Sequence, residues 1–151
     1  MLDLRELYQE VILDHSKHPR NFGPDPGANR HAKGNNPLCG DRVEVHLNAR
    51  DGRIEDVHFE GKGCAISLAS ASLMTEMVKG KSVEEAKEIF RKFHELVTSK
   101  GPVDAERYAE LDKLAALSGV REFPMRVKCA TLPWHAMTAA LDGKAEEVKT
   151  E

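Results

Sequence analysis

The sequence predicts an α+β fold in which a small antiparallel sheet of about three strands packs against roughly five helices. The clearest apolar–polar alternation lies at residues 43–49, and an Asp51-Gly52 turn and a second β-like run follow it. On both sides of this region the apolar residues recur at helical spacing, interrupted by proline and glycine. Because 151 residues fit one domain better than two, we expect residues 1–151 to form a single domain.

The first part of the chain is predicted to be one helix followed by a long loop. Apolar residues at helical spacing, with Asp3 as the cap, predict an amphipathic helix from residue 3 to about residue 16, which Pro19 ends. Residues 19–38 contain four of the seven prolines and three glycines and show little periodicity. We therefore expect a long loop or a partly extended arm, with at most one short strand near residues 30–34.

A β-hairpin is predicted next. Its first strand alternates apolar and polar residues in the order Val43, Glu44, Val45, His46, Leu47, Asn48 and Ala49. The Asp51-Gly52 pair is typical of a tight hairpin turn, and a second strand should end at Gly61. Because Ile54 is out of step with Phe59, we expect a bulge or a late start of this strand.

Two helices are predicted after the hairpin. Residues 65–79 are rich in Ala, Ser, Leu and Met, and Gly80 should end that helix. Ser82 and Glu85 have the spacing of a capping box, which predicts the start of another helix. The buried face of this helix should comprise Ala86, Ile89, Phe90, Phe93 and Val97.

Two further helices are predicted after the Gly101-Pro102 break. The first should run from residue 104 to about 117 and end before Gly119, and the second should begin after Pro133. The expected buried positions are Tyr108, Leu111 and Leu114 in the first helix and Trp134, Met137 and Leu141 in the second.

The composition excludes several classes of protein. With 22 Lys and Arg against 25 Asp and Glu, the net charge of −3 does not favour binding to nucleic acid. No apolar run approaches about 18 residues, so we expect no membrane span. The N-terminus is charged and lacks the apolar core of a secretory signal, which favours a cytoplasmic protein.

Three cysteines, Cys39, Cys64 and Cys129, are spread over 90 positions. An odd, widely spaced set is a poor disulfide framework, and in a cytosolic protein it more often indicates metal binding or reactive thiols. The alternative is three unrelated buried cysteines that act as small apolar side chains. The local sequence around each cysteine bears on this choice.

Two of the cysteines lie in turn-like or helix-start contexts. Cys64 follows Gly-Lys-Gly where a strand ends and a helix begins, so helix N–H groups should face its sulfur and favour the thiolate. Cys39 and Asp41 are two residues apart on a turn before a strand, a spacing that lets both side chains point towards one ion. Asp41 can also be read as a residue that stabilises the turn.

Cys129 follows Arg126 and Lys128 and precedes Thr131, a candidate cap for the last helix. The two cations would stabilise a thiolate or hold an incoming anion, unless they are ordinary surface charges. Three thiolates and the Asp41 carboxylate would together suit tetrahedral Zn²⁺ or an iron–sulfur cluster. We expect none of the seven histidines to be a ligand: His15, His18, His31, His46, His58, His94 and His135.

Three ordered segments resemble the cysteine motifs of the U-type iron–sulfur assembly proteins, the IscU and SufU family. They are NPLCGD, GKGCAISLASASLMTEMVKGKS and RVKCATLPWHAM, and the N-terminal LYQEVILDHSKHPRNFG is also similar to the opening of that family. The resemblance covers nearly the whole chain. It implies an IscU/SufU-like fold and a function in iron–sulfur cluster assembly.

Two features resemble the SufU branch more than the IscU branch. Lys128 occupies the position before Cys129 where the IscU branch carries a histidine, and residues from about 98 to 119 look like a helical insertion. The SufU resemblance implies zinc bound by Cys39, Asp41, Cys64 and Cys129. It also implies that a pyridoxal-phosphate cysteine desulfurase is the partner that supplies persulfide sulfur.

The resemblance leaves the precise role open. As a zinc-bound, sulfurtransferase-like acceptor, the chain would take sulfur on Cys39, or alternatively on Cys129, and relay it to downstream assembly or carrier proteins. As a non-enzymatic scaffold, it would instead build a transient [2Fe–2S] cluster, or bind iron, on Cys39, Cys64 and Cys129. A structural zinc domain is the third alternative.

Overall fold

The computed structural model describes residues 4–104, 106–143 and 148–149. The predicted cap Asp3 lies outside this range. The helices and strands, in chain order, are α1 (Leu4–Lys17), β1 (Arg30–Asn36), β2 (Asp41–Arg50), β3 (Arg53–Lys62), α2 (Ala65–Val78), α3 (Val83–Thr98), a 3₁₀ segment (Ala109–Glu122), α4 (Pro124–Leu141) and β4 (Val148–Lys149).

The sheet has the strand order β3-β2-β1-β4. The first three strands pair antiparallel, and together with the five helical segments they confirm the predicted fold class. The two-residue β4 adds a parallel strand beside Gly34 and Asn35 of β1, which the sequence did not predict. Strand β1 is also longer than the predicted short strand, and it occupies the second half of the proline-rich arm.

The predicted irregularity in the hairpin is a bulge in β3. Asn48 pairs with Asp56 and Ala49 pairs with Ile54, so Glu55 is the extra residue. The bulge lets Ile54 and Val57 both reach the core, where neither is exposed. It also explains why Ile54 is out of step in the sequence.

The core lies between one face of the sheet and the helices. Strands β1 and β2 pack against α4, and β3 packs against α2. Trp134 of α4 lies at the centre with no exposed surface, and its ring contacts those of Phe90 and Phe93 from α3. The capping box at Ser82 and Glu85 that begins α3 is confirmed.

The helix predicted over residues 104–117 is wrong in type and bounds. The structure has a 3₁₀ segment over Ala109–Glu122, with a kink at Asp112, where φ is 49°. The segment continues through Gly119, so this glycine does not act as a stop. The apolar residues recur every third position, the period of a 3₁₀ helix. They are Leu111, Leu114, Leu117 and Val120, and all four are buried.

The predicted start of the last helix after Pro133 is also wrong. Helix α4 begins at Pro124, which occupies the first turn, where the missing N–H costs nothing. Pro133 lies inside the helix, and Thr131 is buried in its middle rather than acting as a cap. Because Pro133 has no N–H, the carbonyl of Cys129 lacks its usual partner four residues ahead. The described helices include none that is long and apolar enough to span a membrane.

Candidate metal centre

Four elements bring the three cysteines and Asp41 to one end of the sheet. Cys39 lies on the turn between β1 and β2, and Asp41 is the first residue of β2. Cys64 is the N-cap of α2, and Cys129 lies in the second turn of α4. We call these four residues the thiol cluster.

Three side chains of the thiol cluster converge, and the fourth, that of Cys64, contacts one of them. The sulfur atoms of Cys39 and Cys129 and a carboxylate oxygen of Asp41 all lie within 4.8 Å of one another. The Cys64 sulfur is 3.8 Å from Asp41 Oδ2. All three thiols are free, so no disulfide closes the site. Asp41 is thus the residue that connects the Cys64 side of the cluster to the other two cysteines.

The β1–β2 turn sets the position of Cys39. Asn36 and Asp41 pair across the base of the turn, and the backbone N–H of Cys39 donates to the Asn36 carbonyl at 3.2 Å. Gly40 has a φ of +73°, which an L side chain rarely adopts. The turn leaves Cys39 half-buried and its neighbour Leu38 59% exposed.

The Gly-Lys-Gly stretch allows Cys64 to approach Asp41. The N–H of Cys64 donates to Asp41 Oδ1 at 2.8 Å. A Cβ atom at Gly63 would overlap that same oxygen, and one at Gly61 would overlap the carbonyl of Arg42. At the start of α2 the N–H of Ser67 donates to the Cys64 sulfur at 3.4 Å. The predicted contact between helix N–H groups and this sulfur is therefore present.

Cys129 is the most enclosed of the three thiols. It is 1% exposed, and the side-chain amide of Asn36 donates to its sulfur at 3.7 Å. Burial raises the pKa of the Cys129 thiol, and the nearby Asp41 carboxylate and Cys39 thiol raise it further. A cation at the centre of the cluster would offset this shift, because it would stabilise the thiolate.

The donor set fits a metal ion. Asp41 is a fully buried carboxylate that adjoins thiols, and such a group is costly unless a cation or hydrogen bonds offset its charge. At Zn–S bonds of about 2.3 Å, neighbouring sulfurs in a tetrahedron lie about 3.8 Å apart, and the Cys39 and Cys129 sulfurs are within 4.8 Å of each other. Three thiols and one carboxylate suit Zn²⁺ or an iron–sulfur cluster, as the sequence predicts.

The two predicted supporting cations lie on α4 beside Cys129. Arg126 is exposed, and its guanidinium lies over the Phe123 ring with a centroid distance of 5.2 Å. Arg126 also lines a cavity of about 710 Å³ between α1 and the 3₁₀ segment. Lys128 is half-buried. Their effect on a thiolate or an incoming anion stays a prediction.

Two residues of this site were missed by sequence reasoning. Asn36 is 1% exposed, and its Oδ1 atom has no hydrogen-bond partner among the described residues. Gly63 provides the space that the Asp41 carboxylate occupies. The signals were available in the sequence, since Asn36 begins the Cys39 turn and Gly63 directly precedes Cys64. His135, as expected, lies away from the thiols, against Phe90 and His94.

Comparisons with known proteins agree with the geometry. Residues 7–130 match the family model described as the NifU-like N-terminal domain. The zinc-dependent sulfurtransferase SufU of Bacillus subtilis is 42% identical over 135 residues, which cover 89% of each chain. The iron–sulfur cluster assembly scaffold protein IscU of Streptococcus pyogenes is 40% identical over 142 residues, 94% of this chain and 87% of that protein.

A crystal structure shows the same fold. It is that of a protein from Fervidobacterium islandicum AW-1, described as an iron–sulfur cluster assembly scaffold protein for the SUF system. The two chains superpose with a TM-score of 0.80 at 35% identity, over 92% of this chain and 99% of the other. The resemblance to U-type proteins and the expected IscU/SufU-like fold are thereby confirmed.

Proposed function

Because this chain belongs to the family of NifU-like N-terminal domains, we propose that it works in iron–sulfur cluster assembly as a zinc-dependent sulfur acceptor. The observation that carries the proposal is the convergence of Cys39 and Cys129 with a fully buried Asp41, which Cys64 also contacts. The name of the Bacillus subtilis relative, a zinc-dependent sulfurtransferase, supports the same reading.

Cys39, Asp41, Cys64 and Cys129 are the proposed zinc ligands. Zinc would keep the three thiols deprotonated at neutral pH and protect them from oxidation. Asp41 is the weakest donor to this metal, because its oxygen is harder than the three sulfurs. We expect that the partner gains access to a thiolate when one of its own side chains takes over a ligand position.

Cys39 is the proposed acceptor. It is half-buried on a turn, whereas Cys129 is 1% exposed inside α4. The Cys39 thiolate would attack the terminal sulfur of the persulfide on a pyridoxal-phosphate cysteine desulfurase. A new S–S bond forms on Cys39, the S–S bond on the desulfurase breaks, and its cysteine leaves as a thiolate. The exchange needs no external oxidant or reductant.

The proposal also includes roles for two basic residues near Cys129 and for downstream proteins. Arg126 and Lys128 would hold the anionic persulfide near the cluster, and downstream assembly or carrier proteins would receive the sulfur. That residues 98–119 form an insertion within a single domain, and that the protein is cytoplasmic, also stay predictions.

Mapping of the sulfur tests this function. Zinc-loaded protein is incubated with a cysteine desulfurase and cysteine, and alkylated peptides are analysed by mass spectrometry for one added sulfur atom. We expect the label on Cys39 and its loss in Cys39→Ser. Label on Cys129 would instead support the alternative acceptor, and label on Cys64 alone would contradict both assignments. Metal analysis of protein purified without added metal should find about one zinc per chain.

A scaffold for a transient [2Fe–2S] cluster is the second candidate, because the Streptococcus pyogenes relative is named as a scaffold. In that case anaerobic incubation with iron and sulfide should give a stable cluster that passes to an acceptor protein. Asp41→Ala separates the two functions. It should slow cluster release from a scaffold, whereas in a zinc-dependent acceptor it should weaken zinc binding and sulfur transfer.

A further inference from the structure

A second group of potential ligands lies on the face of the sheet away from the core. It comprises Asp25 from the loop before β1 and Asp56 and His58 from β3, and we call it the Asp–His cluster. His58 Nδ1 is 3.3 Å from Asp25 Oδ2 and 3.7 Å from Asp56 Oδ2. All three ligand atoms lie within 4.8 Å of one another.

These distances suit ligands around one metal ion. Bonds of about 2.0–2.2 Å from a metal to imidazole nitrogen and carboxylate oxygen place neighbouring tetrahedral ligands about 3.4 Å apart. The two measured distances from His58 are close to this value. His58 Nδ1 therefore lies at ligand-to-ligand distance from both carboxylates, so that one small cation could bind between the three side chains.

The hydrogen bonding of the cluster is incomplete in a way that points to a cation. Asp25 Oδ2 and His58 Nδ1 are both buried, and neither has a hydrogen-bond partner among the described residues. They are close to each other, yet the contact lacks hydrogen-bond geometry. Ligands of one metal behave in this way, because each lone pair points at the ion rather than at the neighbouring ligand.

In Asp25 and in Asp56, one carboxylate oxygen already accepts a hydrogen bond. Asp25 Oδ1 accepts from the N–H of Gly27 at 3.0 Å. Asp56 Oδ1 accepts from the N–H of Val57 at 3.0 Å and lies 3.4 Å from Lys79 Nζ. In both residues the other oxygen, Oδ2, lies near His58 Nδ1. The local contacts therefore fix the orientation that a ligand set requires.

A neighbouring group on the same face provides a contrast. Glu44, His46 and Glu60 also lie within 4.8 Å of one another. His46 Nε2, however, is hydrogen-bonded to Glu60 Oε1 at 2.9 Å, and His46 Nδ1 to His31 Nδ1 at 2.8 Å. Both ring nitrogens of His46 have hydrogen-bond partners, so His46 needs no metal ion to satisfy them.

Against the expectation from the sequence that no histidine is a ligand, we propose that Asp25, Asp56 and His58 form a second metal site, for an exchangeable divalent cation such as Mn²⁺, Fe²⁺, Co²⁺ or Zn²⁺. Two carboxylates and one imidazole are hard to borderline ligands that suit these ions, and they differ in kind from the soft thiol cluster. His58 would bind through deprotonated Nδ1. The site is independent of the function proposed for the thiols.

The cation would link the loop before β1 to the sheet. Shortly before Asp25, this loop already forms two backbone hydrogen bonds with β3: Gly23 N–H donates to the Phe59 carbonyl, and Phe59 N–H donates to the Asn21 carbonyl. Asp25 is the next point of contact, through His58. Metal binding should therefore order the loop that leads, through β1, to the Cys39 turn.

The test uses full-length protein that carries one equivalent of zinc per chain, with excess zinc removed, and titrates it with Mn²⁺, which prefers oxygen and nitrogen ligands and so avoids the thiols. Electron paramagnetic resonance gives the affinity, and paramagnetic broadening of histidine ring signals in NMR locates the ion. We expect the His58 ring signals, identified by their loss in His58→Gln, to broaden at lower Mn²⁺ than those of His94 or His135. Asp25→Asn and His58→Gln should each weaken Mn²⁺ binding at least 10-fold.

The matched controls are His46→Gln and Glu60→Gln, which alter the neighbouring group on the same face. We expect them to change Mn²⁺ affinity less than 2-fold. No binding up to millimolar Mn²⁺, or an equal loss in the controls, would overturn the proposal and leave Asp25 and His58 as an ion pair. Asp25→Asn keeps the acceptor for Gly27 N–H, and circular dichroism of both variants verifies that they fold.

Discussion

The thiol cluster and the Asp–His cluster differ in how the chain assembles them. The thiol cluster takes one residue from each of four elements spread over 90 positions, and two of its members, Asp41 and Cys129, are at most 1% exposed. The Asp–His cluster takes two residues from one strand and one from a loop, and its side chains are 13% to 35% exposed.

This difference predicts different behaviour towards metal. In the thiol cluster Asp41 and Cys129 are shielded from water, so water cannot readily take the place of either residue as a ligand. In the Asp–His cluster all three side chains are partly exposed and only three ligands come from the protein, so binding should be weaker and exchange faster. The same chain would thus hold one tightly bound ion at the sulfurs and one exchangeable ion on the sheet.

The largest expected effect is the loss of zinc in Asp41→Ala. Removal of a fully buried ligand should lower zinc affinity by at least about 100-fold, since Asp41 also accepts the Cys64 N–H that positions that sulfur. Competition with a chromophoric chelator measures the affinity. Asp25→Ala is the control and should leave zinc binding at the thiols unchanged. If both variants lose zinc equally, the two clusters are not independent.

A smaller effect is expected from Gly63→Ala, which changes no ligand. The added Cβ would overlap Asp41 Oδ1, so either the β2 start or the α2 N-terminus must shift. We expect zinc affinity about 10-fold lower and a free energy of unfolding lower by about 1–3 kcal/mol, as for other overpacked sites. Chelator competition and urea unfolding measure the two quantities.

The matched control for this variant is Gly119→Ala in the 3₁₀ segment, where a Cβ would meet no atom within 4 Å. It should leave zinc affinity unchanged. Equal zinc affinity in Gly63→Ala and Gly119→Ala would mean that close contact between Gly63 and Asp41 does not matter for the metal.

Much of the fold and of the thiol cluster could be predicted from the sequence, because the signals are local. The strand alternation, the Ser82 capping box and the turn residues around Cys39 each depend on a few neighbouring residues. The start of α4 was missed for the opposite reason. Pro133 normally ends a helix, but here the buried packing around Trp134 outweighs the lost hydrogen bond of the Cys129 carbonyl.

The Asp–His cluster could be predicted only in part. Asp56 and His58 are two residues apart on a strand, which places them on one face of the sheet, and that signal was in the sequence. Asp25 was not predictable, because its loop has no periodicity and nothing local indicates that it folds against β3. The cluster depends on this long-range contact, which only the tertiary structure reveals.

The smallest effect concerns His15, a buried histidine that contrasts with His58. His15 is 2% exposed, its Nδ1 lies 2.7 Å from Ser72 Oγ, and its Nε2 lies 3.5 Å from Glu76 Oε1. Ser72 Oγ already accepts the Arg20 N–H, so its own proton can be donated to His15 Nδ1. Burial lowers the pKa of His15 below 6.5, and the nearby Arg20 charge lowers it further.

The unfolded chain therefore takes up a proton on this residue at higher pH than the folded chain does. The stability contributed by neutral His15 should be present above pH 6.5 and decline as the pH falls below that value. Urea unfolding at several pH values measures the free energy of unfolding, which should fall less at low pH in His15→Gln than in the unmodified protein. Burial also lowers the pKa of His135, so His135→Gln should remove only the part of the pH dependence that His135 contributes. An unchanged decline in His15→Gln would mean that His15 is not a source of the loss of stability at low pH.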